Sequence, residues 1–338
     1  MKAIIPVAGA GTRLRPHTHT QPKPLVPIAG KPILGHIIDN LYNNGIRNFL
    51  FVIGYLGDKI EEYVTNTYKD SIQTEFVLQE PRIGSAHALW IAREFIKEEE
   101  ELLIVLGDTI VEMNYTHFFD IKNTVVAVRK VDNPRIFGIV EADKNGTIKR
   151  LIEKPRIPKS NLALVGAYKV TNIPLLLDSI KKIMSNSASA NSSWEYHLTD
   201  ALMEMVLQGE KITFVEVDNW FDCGKKETLL EANASLLKRH GFETSVSTDY
   251  PNCIIIQPVR FGKQCKLENS IIGPNVAIGD HTNISNSIIQ NSIIGSFSEL
   301  THATLDKSII GSDSSLKGLI QSLNIGDSTE INFTSNNE

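Results

Sequence analysis

The sequence predicts an α/β domain with a mainly parallel sheet, followed by a parallel β-helix. Three features carry that reading. Residues 2–8, 48–54 and 102–107 are short runs rich in Ile, Val, Leu and Phe, apolar on both faces, as strands covered on both sides are. Segments of helical periodicity lie between such runs, so strand and helix alternate as in βαβ units. Past residue 250 Ile becomes the dominant apolar residue, and Ile-Gly pairs recur at Ile272, Ile278, Ile294, Ile310 and Ile325.

Along the chain, residues 2–8 give the first strand and residues 32–43 the first helix. Strands follow over 48–54, 73–78 and 102–107, separated by helices over 58–68 and 85–97. In such a sheet a ligand sits beyond the carboxyl ends of the strands. Residues 124–129, 136–142 and 147–152 read as antiparallel strands, the last two joined by an Asn145-Gly146 hairpin, and are expected to form a lid or substrate-side extension. Ser192-x-x-Glu195 reads as a capping box before a helix over 196–207, and a further helix starts at Lys225. The repeated pieces Asn269-Ser-Ile-Ile, Asn286-Ser-Ile-Ile, Asn291-Ser-Ile-Ile and Lys307-Ser-Ile-Ile place an aliphatic residue about every six positions. Four or five coils of ~18 residues, each stacking its aliphatics on the next, account for that spacing. The expected organisation is an α/β domain over 1–241, a linker over 242–250, the β-helix over 251–332 and a tail over 333–338.

A length of 338 residues agrees with two domains. Apolar residues make up 42% and charged residues 22%, which excludes wholesale disorder. The net charge of −5 argues against coating nucleic acid, and no apolar run approaches the ~18–20 residues that cross a bilayer. Neither nucleic acid nor membrane is therefore an expected partner. Cys223, Cys253 and Cys265 are too few and too irregular for a disulfide framework or a zinc site. With Pro6 and Gly9 interrupting the apolar start and no cleavage site following, a cytoplasmic protein is expected. The charge is unevenly spread. Lys2, Arg13, Arg15, Lys23 and Lys31 precede the first acidic residue, Asp39, giving +5 over the first 38 residues and −10 over the rest. An anionic ligand is expected at that end.

The chemistry concentrates after the first strand, in Pro6-Val-Ala8-Gly9-Ala10-Gly11-Thr12-Arg13. Two glycines allow a tight turn whose free N–H groups form an anion-binding nest. The turn is not a Walker A loop, since no Gly-Lys-Ser/Thr follows, and it lacks the third glycine of a dinucleotide fingerprint. Arg13 follows at once and Lys23 stands between two prolines, so two cations and a nest share a carboxylate-free segment. That combination suits a triphosphate. Asp108 ends a buried strand, where ligands bind, with a chance acidic residue at a strand end as its plainer reading. Asp222 lies between aromatics and Gly224, with helix capping as its plainer reading. His87 reads as packing rather than as a base. His17, His19 and His197 read as surface or capping residues, and Cys223 as structural.

The stretches Gly9-Ala-Gly-Thr-Arg-Leu, Pro22-Lys-Pro-Leu-Val-Pro and Gly30-Lys-Pro-Ile-Leu resemble the signature of the sugar-1-phosphate nucleotidylyltransferases. Further pieces follow in order: Gln79 with Gly84-Ser-Ala-His-Ala-Leu, Leu106-Gly-Asp-Thr-Ile, Phe137-Gly, Glu153-Lys-Pro, Gly166-Ala-Tyr, Leu198-Thr-Asp-Ala and Trp220-Phe-Asp-Cys-Gly. The resemblance covers about the first 240 residues and implies a Rossmann-like mixed sheet of the nucleotide-diphospho-sugar transferase type. The repeats resemble the left-handed hexapeptide β-helix of longer members. Arg13 and Lys23 take the catalytic positions. Ala8, Gly9, Ala10, Gly11, Thr12, Gln79, Gly84, Ser85 and Asp108 match nucleotide-binding positions, and Gly138, Glu153, Lys154 and Val165 match sugar-phosphate positions. The resemblance also implies one Mg²⁺ held between Asp108 and Asp222. Its implied partners are a nucleoside triphosphate and a sugar 1-phosphate, in a homo-oligomer.

Glucose 1-phosphate with dTTP ranks first among substrates. UTP is a close second because Pro6-Val7-Ala8-Gly9 resembles the uridylyltransferases, and GTP with mannose 1-phosphate is third. Two rivals are weaker. An acyltransferase β-helix is typically longer, and His281 and His302 have no supporting motif. A non-catalytic regulatory relative should have lost Arg13, Lys23 or the aspartates, and all are present.

Overall fold

A computed structural model describes residues 1–186, 195–239 and 250–318. The chain divides into two compact units, Met1–Gly241 and Phe242–Glu338. The parallel half of the first unit is formed by β1 (Lys2–Pro6), β2 (Asn48–Ile53), β3 (Gln73–Leu78) and β4 (Leu102–Val105), lying side by side in the order β3-β2-β1-β4. Ile4, Leu50 and Ile104 on these strands are fully buried, as the two-faced apolar runs require. The crossovers pass through α1 (Ile33–Asn43) and α2 (Gly57–Tyr68), then α3 (Ser85–Ile91) and α4 (Arg93–Ile96). The direction of winding reverses between β1 and β4, which opens a crevice at their carboxyl ends.

The single helix expected over 85–97 is two helices. At Ala92 ψ opens to −1 and the regular turn is interrupted, and the Arg93 guanidinium donates to the Trp90 carbonyl at 2.9 Å.

The second half of the sheet is mainly antiparallel. After β5 (Thr109–Glu112) and α5 (Tyr115–Asp120) come β6 (Val125–Lys130), β7 (Gly138–Ala142), β8 (Ile148–Glu153) and β9 (Leu162–Val170). The nine-residue β9 pairs antiparallel with β4, β6 and β7, and β7 pairs with β8. The strands expected to form a lid or substrate-side extension continue the central sheet, because β9 bridges them to it, so they extend the sheet rather than stand apart as a lid. The hairpin between β7 and β8 stands as expected. Asp143 Oδ1 accepts from the amides of Asn145 and Thr147, which closes the turn. The unit is completed by α6 (Ile173–Asn186), α7 (Leu198–Leu207), β10 (Thr213–Glu216), β11 (Asn219–Asp222) and α8 (Lys226–Arg239). Ser192 of the expected capping box lies outside the described residues; α7 begins at Leu198, and the preceding His197 makes no side-chain cap.

Among the described residues of the second unit, twelve short strands form three parallel sheets of four. Successive coils are in register, with Ile254 opposite Ile271, Ile271 opposite Ile288 and Ile288 opposite Thr304. This is a three-faced parallel β-helix, in keeping with the left-handed form, with coils slightly shorter than the ~18 residues expected. Ile272, Ile289, Ile294 and Leu300 fill its interior. Serines join neighbouring coils: the Ser287 backbone amide donates to Ser270 Oγ at 3.1 Å, and Ser287 Oγ accepts from the Ala303 amide at 3.0 Å. Asn269, Asn286 and Asn291 take positive φ at the corners, which explains the Asn-rich composition. Residues 242–249 of the expected linker, the last repeat at Ile325-Gly326 and the tail lie outside the described residues. Among the described residues no helix is long and apolar enough to cross a membrane.

Candidate active site

The backbone after β1 is clamped on both sides before it enters the glycine turn. The Val7 amide bonds the Val52 carbonyl at 2.8 Å, and the Tyr55 amide bonds the Ala8 carbonyl at 3.2 Å. Gly11 has φ +61, and a Cβ there would lie 2.8 Å from Lys23 Cβ, so glycine is needed both for the turn and for seating Lys23. Gly9 has open space around its missing side chain.

Four charged residues converge at the carboxyl ends of β1 and β4. Lys23, only 6% exposed, places Nζ 2.5 Å from Asp108 Oδ2. β11 brings in Asp222 from far along the chain by pairing antiparallel with β5, so that Asp222 stands opposite Thr109. The Cys223 amide bonds the Asp108 carbonyl at 3.1 Å. A Cβ on Gly224 would lie 2.8 Å from Asp222 Oδ1 and 3.2 Å from Arg13 Nη2, so this glycine leaves room for both charges. Burial alone would raise the Asp108 pKa, but Lys23 and Arg13 outweigh it and hold the carboxyl below its ordinary value. Asp222 is shifted up, first by burial and then by the negative charge of Asp108. Burial pushes the Cys223 thiol up to about 12, so it stays protonated and structural, as expected.

Two neighbouring carboxylates, one destabilised by the other, form a hard oxygen donor set. Among the described residues no group of three or more His, Cys, Asp or Glu side chains gathers as a metal centre. A pair of aspartates still fits Mg²⁺, which takes one or two carboxylates and fills its remaining positions with phosphate and water.

A cleft of about 830 Å³ extends from this cluster along both walls. Every site residue expected from the sequence lines it except Ala10. At one end Gln79, which follows β3, is buried and directs Nε2 to the Gly84 carbonyl at 3.0 Å and to His87 Nδ1 at 3.2 Å. Gly84 has φ +108, and a Cβ there would lie 2.4 Å from the Tyr196 carbonyl. The Ala86 amide bonds that carbonyl at 2.9 Å, and Ser85 Oγ accepts from the Leu198 amide. Gly84 and Ser85 thus fasten α3 to the start of α7 as well as lining the cleft.

At the other end Glu153 and Lys154 close β8. Thr199 Oγ1 donates to Glu153 Oε2 at 2.8 Å, directly above Gly138, where a Cβ would crowd both oxygens. Lys154 is exposed and holds φ +42, a costly conformation for a side chain with Cβ. Val165 is buried, and its carbonyl accepts from Thr109 Oγ1 at 3.1 Å. Trp220 Nε1 in turn donates to Thr109 Oγ1 at 2.6 Å, and its ring meets Phe137 edge-on.

Sequence reasoning missed the structural parts played by Thr109, Thr199, Trp220 and Tyr196; His197, expected as a surface or capping residue, precedes α7 without a side-chain cap and lines the cleft. Thr199 and Trp220 lay inside matched motifs but carried no local sign of their partners.

Comparison with known proteins places the first unit in a family. The nucleotidyl transferase family model matches residues 2–239. The bifunctional protein GlmU of Methanococcus maripaludis is 36% identical over 278 residues, covering 81% of this chain and 62% of that protein. A glucose-1-phosphate thymidylyltransferase of Streptomyces griseus is 28% identical over 318 residues, covering 87% of each chain. The crystal structure of a UDP-glucose pyrophosphorylase complexed with UDP-glucose has the same fold, with TM-score 0.61 and 24% identity over 70% of this chain and 98% of that one. The chain spans between half and two-thirds of the length of the GlmU relatives. The sheet, the cleft at its switch point and the match over nearly the whole first unit have one common meaning: the chain belongs to the nucleotidyl transferase family.

Proposed function

We propose that this protein transfers a nucleotidyl group from a nucleoside triphosphate to a sugar 1-phosphate, with Mg²⁺ held by Asp108 and Asp222. The observation that carries this reading is the convergence of Arg13, Lys23, Asp108 and Asp222 in a cleft that holds Gln79 toward one end and Glu153 and Lys154 toward the other.

In the reaction a phosphate oxygen of the sugar 1-phosphate attacks the α-phosphorus in line. The new P–O bond forms as the bond to the bridging oxygen breaks, and pyrophosphate leaves with the electron pair. Positioning and charge neutralisation are enough for such a step, without a covalent enzyme intermediate. Arg13 and Lys23 face the triphosphate and the leaving pyrophosphate, and the Lys23 ammonium can exchange Asp108 for a phosphate oxygen. Mg²⁺, when bound, supplies further positive charge and polarises phosphate oxygens. Lys154 positions the attacking phosphate, while Glu153, held by Thr199, accepts from sugar hydroxyls.

Because both Gln79 amide hydrogens are taken by Gly84 and His87, its Oε1 remains to accept N3–H of thymine or uracil. Glucose 1-phosphate with dTTP is the preferred pair, supported by the thymidylyltransferase relative that shares 87% of its length. UTP ranks second because thymine and uracil share the edge that Gln79 reads. The test is pyrophosphate release by the full chain with sugar 1-phosphates against dTTP, UTP, GTP, CTP and ATP. Release with glucose 1-phosphate and dTTP or UTP is expected; no release with any pair would overturn the reading.

A further inference from the structure

We propose that His87 is a positioning residue for base recognition, acting through Gln79 without touching the nucleotide. The inference rests on the nucleotidyl-transfer reading for its substrate and on the hydrogen-bond geometry for its mechanism.

Gln79 Nε2 can only donate, so the ring nitrogen 3.2 Å away must accept, which fixes His87 as the Nε2–H tautomer with a lone pair on Nδ1. The same amide nitrogen donates to the Gly84 carbonyl. The Gly84 carbonyl can only accept, so turning the amide over would set Oε1 against it whichever tautomer His87 takes. Among the described residues Oε1 receives no hydrogen bond from the protein, so it alone is left for a ligand. Gln79 is 4% exposed and His87 5%, so this choice is made in a site poor in water, where a lost hydrogen bond is not replaced by solvent.

Base readers such as Gln79 can present either end of the amide. An exposed Oε1 suits a base edge that donates, as the N3–H of uracil and thymine does, and an exposed Nε2 suits the N3 acceptor of cytosine. By holding the amide from its donor end, His87 sharpens the preference for the first kind. Burial also lowers the His87 pKa, which keeps Nδ1 unprotonated near neutral pH. His87 sits on α3, which Ser85 and Ala86 fasten to the 196–198 segment, so the acceptor is held by a rigid element.

The test compares the full-length chain with His87→Leu, which removes the acceptor, and His87→Asn, whose Oδ1 takes the place of Nδ1. Steady-state constants are measured with glucose 1-phosphate and dTTP, UTP or CTP, and dTTP and UTP binding is measured by calorimetry. His87→Leu is expected to raise KM and Kd for dTTP and UTP by roughly fivefold to tenfold, the size of one net hydrogen bond, with kcat nearly unchanged. It should also narrow the preference over CTP, and His87→Asn should recover most of both. Unchanged binding and base preference in His87→Leu would overturn the proposal. So would a loss of kcat and affinity together that His87→Asn, folded by thermal melting, does not recover. If the unmodified chain turns over no triphosphate yet its dTTP or UTP binding weakens and recovers as described, nucleotidyl transfer falls and the role of His87 stands. If it binds neither nucleotide, both fall.

Discussion

Lys23 Nζ lies 2.5 Å from Asp108 Oδ2, joining a lysine 6% exposed to a carboxylate at the end of a central strand. Lys23→Ala removes the cation that pairs with Asp108, offsets charge at Asp222 and faces the place assigned to the leaving pyrophosphate. Turnover should fall by at least ~100-fold, as when a charge stabiliser is deleted from an active site. Arg13 stays beside the Asp108 carboxylate, so the stability cost of losing Lys23 should be held to about 1–3 kcal/mol. Steady-state kinetics and urea unfolding check the two parts separately.

Gly84 meets the Tyr196 backbone at a distance no Cβ could share, and its φ is +108. Gly84→Ala should cost about 1–3 kcal/mol in stability and raise KM for the nucleotide, because α3 must shift and carry Ser85 and His87 with it. A variant with unchanged melting temperature and KM would contradict this account of the glycine.

Thr199 holds Glu153 with a 2.8 Å hydrogen bond at the end of the cleft proposed to take the sugar 1-phosphate. Thr199→Val keeps the shape and removes the donor. KM for the sugar 1-phosphate should rise by roughly fivefold, while KM for the nucleotide stays close to that of the unmodified chain. Equal changes in both constants would mean that Thr199 supports the whole cleft instead of its sugar end.

Lys169 is 1% exposed on β9, yet its ammonium bonds the carbonyls of Phe119 and Ile121 at 2.6 Å each and pairs with Glu101 at 3.0 Å. Lys169→Met strands two carbonyl groups and a carboxylate. The expected loss is about 2–4 kcal/mol of stability with both KM values unchanged, measured by urea unfolding and steady-state kinetics.

What could be read in advance follows from the range of the interactions. β1, β2 and β4 were legible because burial on both faces leaves continuous apolar runs, and the β-helix was legible because each coil repeats its neighbour. Arg13, Lys23 and Asp108 were legible from a strand, a glycine turn and a strand end. β9 was not, since only tertiary pairing makes Leu162–Val170 the strand that carries β6 and β7 into the sheet. Ser85 and Gly84 fitted a base-binding motif, but their contacts with Leu198 and Tyr196 cross more than a hundred positions. The pairing of Asp222 with Thr109 likewise comes from two strands with no local sign of each other.

The central claim is that Asp108 and Asp222 hold the Mg²⁺ that nucleotidyl transfer requires. Its most direct test is nucleotide-sugar formation from glucose 1-phosphate and dTTP or UTP as Mg²⁺ is titrated from zero, for the unmodified chain, Asp108→Asn and Asp222→Asn. The account predicts Mg²⁺-dependent product from the unmodified chain and a loss of at least ~100-fold in each variant that thermal melting shows to be folded. Product formed equally without Mg²⁺, or at near-normal rates by either folded variant, would contradict it.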